Sequence, residues 1–156
     1  MSSLTHGNVI DASAVDELQA SFRGELVRPT DAGYDEHRKV WNGSIDRSPG
    51  LIARCTGVED VRAAVRFARD RDLLVAVRGG GHSFPGLSVC DGGMLIDLGP
   101  MKDARVDPEA GTVRAGAGML LGELDRGRRS SASRSLRGSS PTPAWRASRS
   151  AVASDG

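Results

Sequence analysis

Aromatic residues make up only 4% of this 156-residue chain, and cysteine occurs twice. Two thiols, Cys55 and Cys90, are too few for the disulfide framework that staples small secreted domains, and free thiols fit a reducing cytosol. No apolar run approaches the roughly 20 residues that cross a bilayer. The opening MSSLTHGNVIDASAVDELQ lacks a basic stretch followed by an apolar one, so no secretion signal is expected. These absences predict a cytoplasmic protein with no membrane partner. Charge of one sign is lacking too: 21 Lys+Arg face 20 Asp+Glu, a formal net charge of +1, so the whole-chain balance singles out no partner. There is no spacing of metal ligands, no carboxylate pair and no G-x-G-x-x-G fingerprint, so no metal site and no catalytic residue is assigned. The length suits one modest core.

Against these absences stands a pattern of short elements. Asp11 to Phe22 reads as an amphipathic helix, with Val15, Leu18 and Phe22 at helical spacing. Asp35 to Trp41, with Tyr34 before it, is a weaker helical or irregular segment, and Trp41 and Asn42 read as local packing. Leu51–Arg54 is a short strand. Thr56 and Glu59 have the spacing of a capping box for a helix to about Arg71. In that helix Val58, Val61, Val65, Phe67 and Ala68 form an apolar stripe opposite a solvated face of Asp60, Arg62, Arg66 and Arg69. Leu73–Val77 is the next strand. Strand, helix and strand with short connections predict a right-handed crossover and parallel pairing. Short strands follow at Met94–Leu98, Ala104–Val106 and Thr112–Ala115, with a hairpin signal at DPEAG, and a helix begins near Met119. The expected fold class is α+β.

The chemistry concentrates at the end of Leu73–Val77, where the chain reads RGGGHS. Arg78 precedes three glycines, Gly79, Gly80 and Gly81, and His82 and Ser83 follow. Glycines let backbone N–H groups approach an anion closely and accept positive φ. The loop therefore reads as a cradle for a diphosphate, with Ser83 as a further donor and an imidazole at its rim. Its position at the carboxyl end of a strand is where open α/β sheets place ligands. The same residues also read as a sharp turn with an ordinary loop histidine, and Arg78 reads equally as the partner of an acid.

Three stretches, LIARCTGVEDVRAAVRFARDRDLLVAVRGGGHS, GLSVCDGGMLIDLGPMKDARVDPEAGTVRAGAG and LLGELDR, run in the order and spacing of one family. Residues 51–126 resemble the N-terminal part of the FAD-binding domain of the p-cresol methylhydroxylase/vanillyl-alcohol oxidase superfamily, on the side of the bacterial berberine-bridge-enzyme-like oxidoreductases. The resemblance implies FAD as cofactor, its pyrophosphate held by Arg78, Gly79, Gly80, Gly81, His82 and Ser83. It implies that Gly86 and Leu87 pack along the flavin and that Gly116 and Gly118 lie near the adenine and diphosphate. It also implies His82 as the residue joined covalently to the flavin. The parent reaction is then a two-electron oxidation of an alcohol, sugar hydroxyl or similar carbon with hydride passing to the flavin. The substrate domain and catalytic base are not among these residues. A small-molecule substrate is thus expected only for a full-length parent, and this chain by itself is expected to be inactive. Cys90 is expected to be a small buried residue and not a second flavin linkage.

The organisation predicted is a helix and lead-in over 1–50, the partial FAD-binding domain over 51–126, and a Ser/Arg-rich tail over 127–156. The tail holds six arginines against the single acid Asp155 and has no period of 2 or 3.6. One reading is a disordered basic tail that contacts nucleic acid through phosphates. The other is a shifted reading frame. Taking the third base of each codon with the first two of the next, Arg128 to Gly156 re-reads as ATQLGIAVAPGQLADTGVAGLALGGGIGW under GC-rich wobble choices, which continues the family pattern. On that reading no nucleic acid partner is expected. The functions carried forward are an FAD-dependent oxidoreductase fragment, a nucleotide- or phosphate-binding module without redox activity, and a small nucleic-acid-associated protein.

Overall fold

The computed structural model describes residues 10–107 and 109–126. The tail over 127–156, and with it the shifted-frame reading, lies outside the described residues. Two compact units are present, Met1–Lys102 with Ala117–Met119, and Asp103–Gly116 with Leu120–Gly156.

The first unit begins with α1 (Ala12–Ser21), β1 (Glu25–Val27) and α2 (Tyr34–Arg38). β2 (Leu51–Arg54), α3 (Val58–Asp70), β3 (Val75–Arg78) and β4 (Met94–Asp97) follow. The four strands form one sheet in the order β1-β2-β4-β3, with β1 antiparallel to β2 and the rest parallel. The parallel orientation expected for β2 and β3 holds, but they are not neighbours. β4 lies between them, Met94 pairing with both Leu51 and Val75. The residues explain the insertion. All four positions of β4 are buried, as a strand covered on both faces requires, whereas β3 alternates exposed and buried and suits an edge. Leu74, Val75 and Val77 are accordingly exposed, not core.

Alternation along the strands sorts the side chains into two layers. On one face Leu51, Ala53, Met94 and Ile96 pack against Ala14, Val15, Leu18 and Phe22 of the α1 region and Ala64, Phe67 and Ala68 of α3. On the other, Ile52, Ala76 and Leu95 pack against Val27, Tyr34, Val89 and Cys90, with Val40 and Ile45 at the margin. The Tyr34 hydroxyl donates to the Pro49 carbonyl at 2.6 Å, and burial raises its pKa.

α3 departs from the expected stripe in an instructive way. Asp60, expected on the solvated face, is 2% exposed, while Val58 and Val65 are exposed. The buried row is Asp60, Ala64, Phe67 and Ala68, spaced i, i+4, i+7, i+8. The expected capping box is also absent, since the N-cap is Gly57 and Glu59 pairs with Arg62. Asp60 instead accepts the Thr56 N–H at 2.9 Å, the Thr56 hydroxyl at 2.7 Å and the Arg23 N–H at 2.8 Å. Burial pushes the Asp60 carboxyl's pKa up, but these donors outweigh it and hold the group below its ordinary value.

The second unit contributes the antiparallel hairpin of β5 (Ala104–Asp107) and β6 (Thr112–Ala115). The Asp107 carboxylate accepts the N–H groups of Glu109 and Ala110 across its turn. Residues 121–126 are helical. Among the described residues no helix is long and apolar enough to cross a membrane.

Candidate functional site

The three parallel strands each end in an ion. Arg54, Asp97 and Arg78 occupy the last positions of β2, β4 and β3 and pair in register. Alternation sends all three to the second face, the one carrying Ile52, Leu95 and Ala76. Arg78 is buried, its Nη2 donating to Asp97 Oδ2 at 2.9 Å and its Nε to Oδ1 at 3.3 Å. Its Nη1 donates to the Lys39 carbonyl at 2.9 Å. Asp97 Oδ1 also accepts the Gly99 N–H at 3.0 Å. Of the two readings of Arg78, this geometry realises the pairing with an acid: the guanidinium is spent at the base of the loop and does not reach its open rim.

Beyond Arg78 the chain leaves the sheet. A Cβ on Gly79 would stand 2.8 Å from the Ala117 carbonyl oxygen, so only glycine lets these two backbones meet. Gly81 has φ +72°, a conformation that L side chains rarely adopt. Gly80 and His82 are exposed. Among the described residues no carbonyl or side chain accepts from the amides of Gly79, Gly80, Gly81 or His82. Four consecutive N–H groups with no acceptor among the described residues, at the carboxyl end of a parallel strand, are donors of the kind an anion recruits.

Ser83 closes the loop by a local turn. Its carbonyl accepts the Gly86 N–H at 3.1 Å and its hydroxyl accepts the Leu87 N–H at 3.1 Å, which leaves the hydroxyl proton free to donate. Gly86 is buried against Ile45, whereas Leu87 is 73% exposed. Gly118 belongs to the same unit, its N–H donating to the Met101 carbonyl at 3.0 Å, and so Gly79, Ala117 and Gly118 are brought together. Gly116 belongs to the other unit, where its N–H donates to the Asp103 carbonyl at 2.7 Å.

Residues read as packing from sequence prove to be neighbours of the loop. The Trp41 N–H donates to the Gly81 carbonyl at 3.1 Å, and Asn42 Nδ2 donates to the Phe84 carbonyl at 3.0 Å. The Trp41 and His82 rings lie with centroids 6.3 Å apart, tilted by 51°. Cys90 is buried as expected, and burial pushes its thiol pKa up; burial likewise takes the Cys55 thiol to about 12.

A profile of the FAD binding domain matches residues 49–131, about half of the chain, and spans the three parallel strands and the glycine loop. The chain belongs to the FAD binding domain family. Relatives of known name agree. The chain is 38% identical over 104 residues to (R)-6-hydroxynicotine oxidase of Paenarthrobacter nicotinovorans, covering 67% of this chain and 23% of that protein. An FAD-linked oxidoreductase of Dictyostelium discoideum is 35% identical over 113 residues, covering 72% and 25%. Among solved structures, 6-hydroxy-D-nicotine oxidase from Arthrobacter nicotinovorans superposes with a TM-score of 0.68 at 36% identity, covering 70% of this chain and 24% of that one. Physcomitrella patens BBE-like 1 superposes at 0.70 and 26%, covering 75% and 26%. The chain thus spans about a quarter of the length of the curated relatives it matches. The α+β fold is the fold of these FAD domains, and FAD is the family's cofactor. The family match begins at residue 49, yet β1, α1 and the Trp41 segment lie before it and complete the sheet and the loop's surroundings.

Proposed function

We propose that the chain is the N-terminal part of the FAD-binding domain of an FAD-dependent oxidoreductase, that the Arg78–Ser83 loop cradles the diphosphate of FAD, and that His82 carries the flavin. The observation that carries this reading is the row of four amides from Gly79 to His82, without an acceptor among the described residues, at the carboxyl end of β3. Ser83 adds a hydroxyl donor. Arg78 acts from behind, held by Asp97 and the Lys39 carbonyl so that the loop leaves the sheet at a fixed point. Gly86 and Leu87 continue along the cofactor. Gly118, beside the loop, and Gly116 are assigned to its adenine and diphosphate side. When bound, FAD supplies two-electron chemistry, accepting hydride from an alcohol, sugar hydroxyl or similar carbon. The residues of this chain bind and orient it, while the small-molecule substrate and the catalytic base belong to a longer parent.

Equilibrium dialysis of the 156-residue protein against FAD tests the cradle. Weak retention of FAD is expected, since the chain holds only part of the cradle, and Gly80→Asp, which puts a carboxylate into an exposed loop position without disturbing the core, weakens it at least about tenfold by like-charge repulsion. Unchanged retention in Gly80→Asp overturns the assignment. Equal retention of inorganic pyrophosphate and FAD points instead to a phosphate module without redox activity. We further propose that residues 127–156 are a shifted-frame reading of the same domain. The nucleotide sequence from codon 126 decides it, and a gene that does not encode ADTGVAGL in another frame removes the idea. In a frame-restored protein loaded with FAD, a denaturing gel gives a fluorescent band that His82→Ala abolishes. A band that survives moves the linkage to another residue.

A further inference from the structure

We propose that Trp41 is the second wall of the FAD site, its indole lying against one of the cofactor's two flat ring systems beside His82. The inference rests on the reading of the loop above and adds to it a residue from outside the family match. Four fastenings tie residues 39–45 to residues 78–86. The Lys39 carbonyl accepts from Arg78, the Trp41 N–H donates to Gly81, the Asn42 side chain donates to Phe84, and Ile45 presses on Gly86. The backbone under the indole is therefore fixed to the loop itself.

The indole is not used for packing. It is 69% exposed, while Val40 and Ile45, on either side of it, supply the segment's contacts with the core. An aromatic of this size, anchored at its backbone and set 6.3 Å from the His82 ring, presents an exposed π surface next to four amides that have no acceptor among the described residues. Such surfaces bind flat heteroaromatic rings by offset stacking, and a fixed backbone with two side-chain torsions loses little entropy in doing so. FAD offers two such rings, the isoalloxazine and the adenine. His82 alone is too small to cover either. The tilt between the two side chains makes a corner, not a stack, and leaves the indole face free for a third ring.

The test compares Trp41→Ala, Trp41→Leu and Trp41→Phe with the parent protein by equilibrium dialysis against FAD and, separately, ADP. Thermal unfolding of the ligand-free proteins runs beside it. Loss of one stacking platform corresponds to about a tenfold weaker FAD binding in Trp41→Ala and Trp41→Leu, while Trp41→Phe stays within about threefold of the parent. Ligand-free unfolding is expected to be unchanged, because the side chain is exposed. ADP binding weakened in parallel places the adenine on Trp41, and ADP binding unaffected places the isoalloxazine there. Equal FAD retention by all four proteins overturns the proposal and leaves the loop reading standing. Full rescue by Trp41→Leu, or a loss of FAD matched by a fall in ligand-free unfolding temperature, also overturns it, since bulk or fold then accounts for the effect. If no protein retains FAD, the loop reading and this inference fall together.

Discussion

The two faces of the central sheet are built from the same strands and solve different problems. Toward α1 and α3, Leu51, Ala53, Met94 and Ile96 pack in an apolar cluster, and burial of area does the work. Toward the Tyr34 segment, the rows begin with Ile52, Leu95 and Ala76 and end with Arg54, Asp97 and Arg78. The buried Arg78–Asp97 pair, flanked by the half-buried Arg54, contributes little net stability, since the desolvation cost offsets the attraction, but its geometry is directional. Arg54 illustrates the cost: its Nε is buried without a hydrogen-bond partner, 3.7 Å from Asp97 Oδ2. The first face holds the fold, and the second holds the loop.

Substitutions on the two faces sharpen or break this contrast. Asp97→Ala leaves two guanidiniums without their shared carboxylate and is expected to cost about 4 kcal/mol in urea unfolding. Asp97→Asn restores only part of it, because an amide gives Arg78 no charge and only one acceptor. On the apolar face Met94→Ala costs about 3 kcal/mol through the cavity, but Met94→Leu costs less than about 1.5 kcal/mol. If Asp97→Asn proves as mild as Met94→Leu, the two faces do not differ in directionality and the contrast fails.

A smaller effect comes from Asp60, an ion set into the apolar side. Its folded pKa lies below the unfolded value of about 3.9, so its stabilisation is complete above that value and disappears as pH falls through the folded pKa. Asp60→Asn is expected to lower stability at pH 7 by about 1–2 kcal/mol and to flatten the acid limb of a stability-against-pH profile below pH ~4. A limb unchanged by the substitution assigns the acid sensitivity to other carboxylates. The smallest effect is at the edge. Val77→Thr, at a position 53% exposed, is expected to change stability by less than about 0.5 kcal/mol. A larger loss means that β3 is covered in solution.

Much of this arrangement was legible in the chain. LIAR, the 58–70 helix and VAVR lie within a residue or two of their expected bounds, because apolar runs punctuated by charge and glycine leave few alternatives. The glycine loop stood out for the same reason. Three things were hidden. The face of α3 was misjudged because Asp60 counts as solvated by type, and only the approach of Thr56 and Arg23 makes it a buried acceptor. The order of β2 and β3 depended on a strand some 20 residues further on, and periodicity is silent on non-local pairing. Its signal was the all-apolar MLI, which asks for cover on both faces. The partner of Arg78 was also marked, since LIAR, VAVR and MLID end in charges of alternating sign once placed side by side. Trp41 and Asn42 carried no signal in themselves, because their roles come from backbone contacts with a loop about 40 residues away.

The pairing of β1 with β2 has a consequence for what constitutes a cooperative folding unit. Glu25, Leu26 and Val27 zip onto Arg54, Ala53 and Ile52, and the α1 region lays Val15, Leu18 and Phe22 over the same strand. A protein trimmed to start at residue 49, where family similarity begins, keeps the loop but strips β2 of its outer neighbour and one layer of its cover. Such a fragment would unfold gradually, with no single sharp transition, and its backbone amides along β2 would exchange with solvent at rates set by local opening. Similarity marks where a motif was kept; the amides of Leu51 to Ala53 report whether the fold upstream of it is in place.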